Sequence, residues 1–175
     1  MSLSLIAKSI KASPTLKLNE KFAILKEKGD PVIHLGGGEP KSKAPMDAML
    51  ATIAHVNTGE VRYAPADGIP ALKQAIIRYT EEFYERKVKP ENVIASSGAK
   101  QAIMVALQAI LNPQEELLYP APYWVSYPDM ARLIGALPVA ALPEDGTFYP
   151  SIKDITDRVG SYTKAVIINS PNNPT

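Results

Sequence analysis

The chain is predicted to fold as an α/β layered domain with a largely parallel sheet. Three observations carry the prediction. Short apolar runs alternate with helical stretches between residues 93 and 168. The sixteen prolines sit in dipeptide punctuation between those segments and form no tract. Several apolar runs end in turns rich in small residues, aromatics or amides, at the carboxyl ends of strands where open α/β sheets bind ligands.

Residues 1–31 read as an N-terminal arm, with a turn or extended stretch at Ser13-Pro14-Thr15. Leu18, Phe22 and Leu25 then follow helical spacing as far as Gly29-Asp30-Pro31. Val32–Leu35 is expected to be a short strand leading into Gly36-Gly37-Gly38-Glu39-Pro40, and Met46 to Val56 a helix. A long loop spans Gly59 to Pro70. Leu72, Ala75, Ile76, Tyr79 and Phe83 then form an apolar stripe on a helix broken by Pro90-Glu91-Asn92. Val93-Ile94-Ala95 is expected to be a buried strand and Ser96-Ser97-Gly98 a turn. Ala99 to Leu111 should be a helix, apolar nearly all round and so packed against a sheet and other elements at once. Strands are expected at Glu116–Tyr119, at Leu137–Ala141 and at Ala165–Ile168, with Pro138 marking an edge or strand start. Trp124 to Gly135 should be mostly helix, and Ile152, Ile155 and Val159 mark a short one. There is no internal repeat.

Composition narrows the function classes. With 46% hydrophobic and 21% charged residues, the 175-residue chain is globular and about one domain in size. A net charge of +1 gives no field for nucleic acid or an anionic membrane, and neither is expected as a partner. No apolar run is long enough to span a bilayer. The first residues lack the layout of a signal peptide. Cysteine is absent, which excludes disulfides, thiolate metal sites and a cysteine nucleophile. A cytoplasmic chain is expected, with no metal site. His34 and His55 carry no motif and read as structural residues.

Four segments could carry chemistry. Ser96-Ser97-Gly98-Ala99-Lys100 is a small-residue turn opening a helix, where free backbone N–H groups and the helix dipole suit a phosphate and Lys100 adds charge. It matches neither a Walker loop nor a dinucleotide fingerprint, and an ordinary capped turn has the same composition. Tyr119-Pro120-Ala121-Pro122-Tyr123-Trp124 places the lone tryptophan just beyond a strand, where it would stack on a flat heteroaromatic ring or pack in a core. Asn172-Asn173, held between Pro171 and Pro174, offers amide donors or forms a simple turn. Tyr63, on the long loop, would reach a ligand or a neighbouring subunit, or pack on its own domain.

Taken in order, these segments resemble the class I/II aminotransferases, pyridoxal-phosphate (PLP) enzymes of fold type I. Ser97-Gly98-Ala99-Lys100-Gln101-Ala102, Pro122-Tyr123-Trp124-Val125-Ser126-Tyr127-Pro128 and Asn169-Ser170-Pro171-Asn172-Asn173-Pro174-Thr175 are most similar to prokaryotic-type aspartate aminotransferases. The resemblance runs from about Leu16 onward. It implies the three-layer α/β/α large domain of that fold, incomplete in this chain: arm 1–31, then the first half of the PLP-binding domain over 32–175.

The resemblance also implies roles. Gly98, Ala99 and Lys100 would hold the PLP phosphate, with Tyr63 reaching a partner subunit's phosphate across a homodimer. Trp124 would stack on the pyridine ring. Asn173 would bond the phenolic oxygen and lie near the substrate carboxylate, which Gly38 would also bind through its N–H. The implied reaction transfers an amino group between an amino acid, aspartate or aromatic, and a 2-oxo acid. No residue matches the Schiff-base lysine, which in the family lies downstream. Lys100 falls beside the phosphate, and Lys153 and Lys164 read as surface charges. The 175 residues alone are therefore expected to be inactive, only marginally stable and prone to self-association. A lyase or decarboxylase of the same fold shares the phosphate turn and stacking position. From another class, a non-catalytic binding module stays open, although no basic helix-turn-helix precedes Leu16.

Overall fold

The computed structural model describes residues 2–10, 13–38, 42–144 and 146–175. The chain forms two compact units, one of Met1–Val32 with Lys100–Thr175 and one of Ile33–Ala99.

The first unit is built on a parallel sheet of three strands in the order β2-β1-β3: β1 is Glu116–Pro120, β2 Leu137–Ala141 and β3 Thr163–Val166. Parallel neighbours need crossover connections, and the helical segments between the strands supply them. Successive side chains of a strand point to opposite faces. Leu117 and Leu118 are adjacent and both fully buried, so the central strand is covered on both sides. On the face of Leu117 and Tyr119 the cover is Leu107 and Leu111, together with Tyr127, Met130 and Ala131. Leu107 comes from α5 (Ala99–Ile110), and the latter three from α6 (Ser126–Leu133). Pro138 lies in an edge strand, as expected.

Helix ends follow local chemistry. The arm contains α1 (Leu5–Ser9), whose Ser4 hydroxyl accepts from the Ala7 N–H at 3.1 Å, and α2 (Pro14–Glu27), with proline in its first turn where no N–H partner is required. Helix α6 closes in a Schellman turn: Gly135 N–H donates to Arg132 C=O at 3.0 Å and Ala136 N–H to Ala131 C=O at 2.9 Å. The turn requires the left-handed φ of +80° at Gly135. Helix α7 (Ile152–Thr156) opens with a capping box between Ser151 and Asp154. The Ser151 hydrogen bonds hold the Asp154 carboxyl below the usual carboxylate range.

The second unit contains α3 (Met46–Asn57), α4 (Pro70–Tyr84) and a 3-10 turn at Pro90–Asn92. Four expectations are corrected here and in α5. Neither Val32–Leu35 nor Val93–Ala95 pairs as a strand among the described residues. Ile33, Leu35 and Ile94 are exposed, and the Ala95 N–H goes to the Asp67 carbonyl at 3.0 Å and not to a ladder. Helix α4 stops at Tyr84, where Glu85 turns left-handed (φ +52°), well before the Pro90 expected to break it. Helix α5 packs on one side only: Leu107 is buried, while Val105 and Ile110 stay about half exposed. The apolar stripe of α4 is present in sequence, but Leu72, Tyr79 and Phe83 are exposed and the buried side chain is that of Lys73.

Candidate functional site

The carboxyl ends of β1 and β3 are neighbours, and the chain beyond each contributes to one region. After β1 comes Ala121–Val125, with a cis bond at Ala121–Pro122; after β3 comes 167–175, with cis bonds at Ser170–Pro171 and Asn173–Pro174. The two segments are tied by Asn172, whose Nδ2 donates to the Pro122 carbonyl at 2.8 Å and to Thr175 Oγ1 at 2.8 Å. Asn172 therefore holds the turn that carries Trp124. Its role was not legible in sequence, because its partner lies 50 residues away.

Trp124 is half-buried and meets Tyr127 edge-on, with ring centroids 5.6 Å apart and planes at 87°. Tyr119 contacts Tyr123 in the same tilted manner at 4.5 Å. The cluster is dry enough that burial pushes the Tyr119 hydroxyl up to about 12. Lys100, in the first turn of α5, places its ammonium 5.2 Å from the Trp124 ring centroid. Both line a cavity of about 510 Å³ with Ser13, Thr15, Ser126 and Asp129. Asp129 is paired with Arg132 at 3.0 Å. The presence of Ser13–Leu16 in this cavity was missed in sequence, where the stretch read only as part of an arm. Ser13 makes no side-chain cap on α2, although it stands at the N-cap position.

The Ser96-Ser97-Gly98 turn keeps its expected form. Gly98 adopts φ +94°, its N–H donates to the Ser96 carbonyl at 2.8 Å, and a Cβ added there would meet no atom within 4 Å. The N–H groups of Ala99 and Lys100 precede the first intrahelical bond of α5 and are available to an anion. Within the first unit the donor set, the Lys100 amide at a positive helix end with the Lys100 ammonium and a half-buried indole, fits an aromatic phosphate monoester.

Asn173, in the first unit, is exposed and does not line this cavity. Tyr63 is fully exposed on its loop in the second unit, and Gly38 lies in that unit with open space around it. Glu39 and Pro40 of the glycine-rich turn lie outside the described residues. Lys153 is exposed and pairs with Asp157 and, at 3.9 Å, with Glu144, while Lys164 is exposed on β3. Among the described residues no helix is long and apolar enough to cross a membrane, and no group of three or more His, Asp or Glu could hold a metal.

Fold and site together describe an α/β protein of the layered, parallel-sheet class, with a charged helix start and an aromatic side chain lining one cavity beyond the strand ends. A family model described as aminotransferase class I and II matches residues 30–175, and the chain belongs to that family. It is 40% identical over 167 residues to a probable aspartate/prephenate aminotransferase of Aquifex aeolicus, covering 95% of this chain and 42% of that protein. It is 39% identical to the aspartate aminotransferase of Geobacillus stearothermophilus, covering 100% of this chain and 45% of the relative. The solved aspartate aminotransferase of Thermus thermophilus with maleate superposes with a TM-score of 0.92 at 35% identity, over 100% of this chain and 46% of that one. The expected fold class, that of the PLP-dependent transferases of fold type I, is thereby borne out. The chain spans less than half the length of the curated relatives it matches. The aspartate aminotransferase family depends on pyridoxal phosphate.

Proposed function

We propose that this chain carries the cofactor-anchoring part of a PLP-dependent aminotransferase acting on aspartate or an aromatic amino acid and a 2-oxo acid. The observation that carries the reading is the convergence of Lys100, in the first turn of α5, and Trp124 on one cavity. Its support in kinship is the set of aspartate and aspartate/prephenate aminotransferases among the relatives.

Bound pyridoxal phosphate supplies the electron sink for amino transfer. In this reading the Ala99 and Lys100 amides hold the phosphate, and the Lys100 ammonium neutralises it. The Trp124 ring would stack on the bound cofactor and hold it in one orientation. Asn173 donates to the phenolic oxygen, and Gly38 N–H binds the substrate carboxylate. Tyr63 serves the phosphate of a second copy in a homodimer. Residues 32–175 are the first half of the large domain, residues 1–31 its arm, and the cytoplasm its place of action. The 175 residues alone do not turn over, since no lysine among them occupies the Schiff-base position of the family.

The test is a titration of the purified chain with pyridoxal phosphate, followed through the emission of its single tryptophan, with a transaminase assay on the same sample. Saturable quenching without turnover is expected. Absence of quenching would sink the cofactor reading, and steady turnover free of host enzymes would sink the claim of inactivity. Enrichment in a membrane fraction would refute the location, and a strictly monomeric holoprotein the homodimer.

A further inference from the structure

Lys73 is the one charged side chain that is buried among the described residues, at 9% exposure. A lysine gives up hydration only where a partner replaces it. Here the partner is the Asp67 carboxylate, which takes the lysine Nζ–H in a direct ion pair. Lys73 stands in the first turn of α4, and Asp67 lies on the loop before that helix, which also bears Tyr63.

The same short stretch grips the segment that leads into the phosphate turn. The Asp67 carbonyl accepts from the Ala95 N–H at 3.0 Å. Gly68, at φ +103°, lies so close to Ala95 that an added Cβ would sit 2.6 Å from the Ala95 Cβ. Gly68 N–H also closes its own turn on the Pro65 carbonyl at 3.0 Å. All these groups belong to the second unit, so the connection runs inside one compact body.

We propose that Lys73 and Asp67 are a positioning pair: the buried ion pair locks Asp67-Gly68 onto Ala95 and so fixes the Ser96-Ser97-Gly98 turn relative to the Tyr63 loop. Neither residue touches the phosphate; they act through Ala95. The proposal rests on the phosphate reading of that turn.

The test compares the 175-residue chain with Lys73→Met, Asp67→Asn and Lys73→Arg by amide hydrogen exchange and by backbone amide shifts during titration with inorganic phosphate. A hydrogen bond to a charged group is worth enough that its loss should speed Ala95 exchange by at least about tenfold in Lys73→Met and Asp67→Asn. Phosphate affinity at Gly98–Lys100 should fall by about threefold or more in both. Lys73→Arg, which keeps the charge, should restore both readouts, and the amides of Ala75–Tyr79 should keep their protection in all three. Wild-type exchange at Ala95 in both charge-removing variants overturns the proposal. So does equal loss of protection throughout α4, which would make the pair a general support of that helix. If phosphate shifts no amide in the wild-type chain while Ala95 exchange still follows the pair, the phosphate reading fails and the lock itself is upheld.

Discussion

The ammonium of Lys100, at the start of α5, lies 5.2 Å from the centroid of the Trp124 ring beyond β1, and a charge and a flat aromatic surface thus line the same cavity. An exposed cation over an indole contributes about 0.5–1 kcal/mol. Lys100→Met should lower the unfolding free energy by about that amount and Lys100→Arg should not. Urea denaturation followed by Trp124 emission measures it, and an unchanged midpoint in Lys100→Met would mean that the contact is not kept in solution.

Gly68 and Gly29 both have positive φ, at +103° and +81°, but only Gly68 meets a neighbour. Gly29→Ala should cost about 1 kcal/mol, the conformational penalty alone. Gly68→Ala adds a collision with Ala95 and should cost more, by about 1–3 kcal/mol. Equal losses for the two variants would show that the Ala95 segment yields freely.

Leu117 is fully buried in the central strand, whereas Ile168 is 75% exposed. Leu117→Ala should destabilise the first unit by about 2–5 kcal/mol. Ile168→Ala should stay within about 0.5 kcal/mol. The pair of denaturation midpoints tests whether the core centres on β1.

Burial raises the Tyr119 hydroxyl from its ordinary value of 10 to about 12. The folded state therefore holds this proton where the unfolded chain releases it. The stability linked to Tyr119 is complete below pH 10 and is lost as pH rises from there through about 12. Tyr119→Phe should flatten that part of the stability profile. A Tyr119→Phe chain that loses stability between those limits as steeply as wild type would refute the assignment.

The parts of this fold read directly from sequence are those set by local chemistry. The helical stretch from Ala99 and the edge placement of Pro138 follow from single residues and short spacings, whereas Pro14 and Pro70, expected in a turn and a loop, open α2 and α4. Val32–Leu35 and Val93–Ala95 misled because an apolar run becomes a strand only where a neighbour supplies a hydrogen-bond ladder. Ala95 is instead bonded to a turn. The end of α4 was hidden because a left-handed Glu85 carries no glycine signal. At the site, the helix start and the strand-end tryptophan were legible as separate motifs. Their meeting, the Ser13–Leu16 lining and the Asn172 tie were not, since each depends on residues far apart in the chain.

The Asn172 tie has a consequence for chemical ageing. Its carboxamide nitrogen points both donors at oxygens, those of Pro122 and Thr175. Hydrolysis of that one amide to a carboxylate would replace the donor with a second acceptor against the Pro122 carbonyl, and attraction would become repulsion. Stored protein should therefore lose the fixed setting of its only tryptophan in step with deamidation at position 172, a correlation that peptide mapping and Trp124 emission on the same aged samples would show or refute.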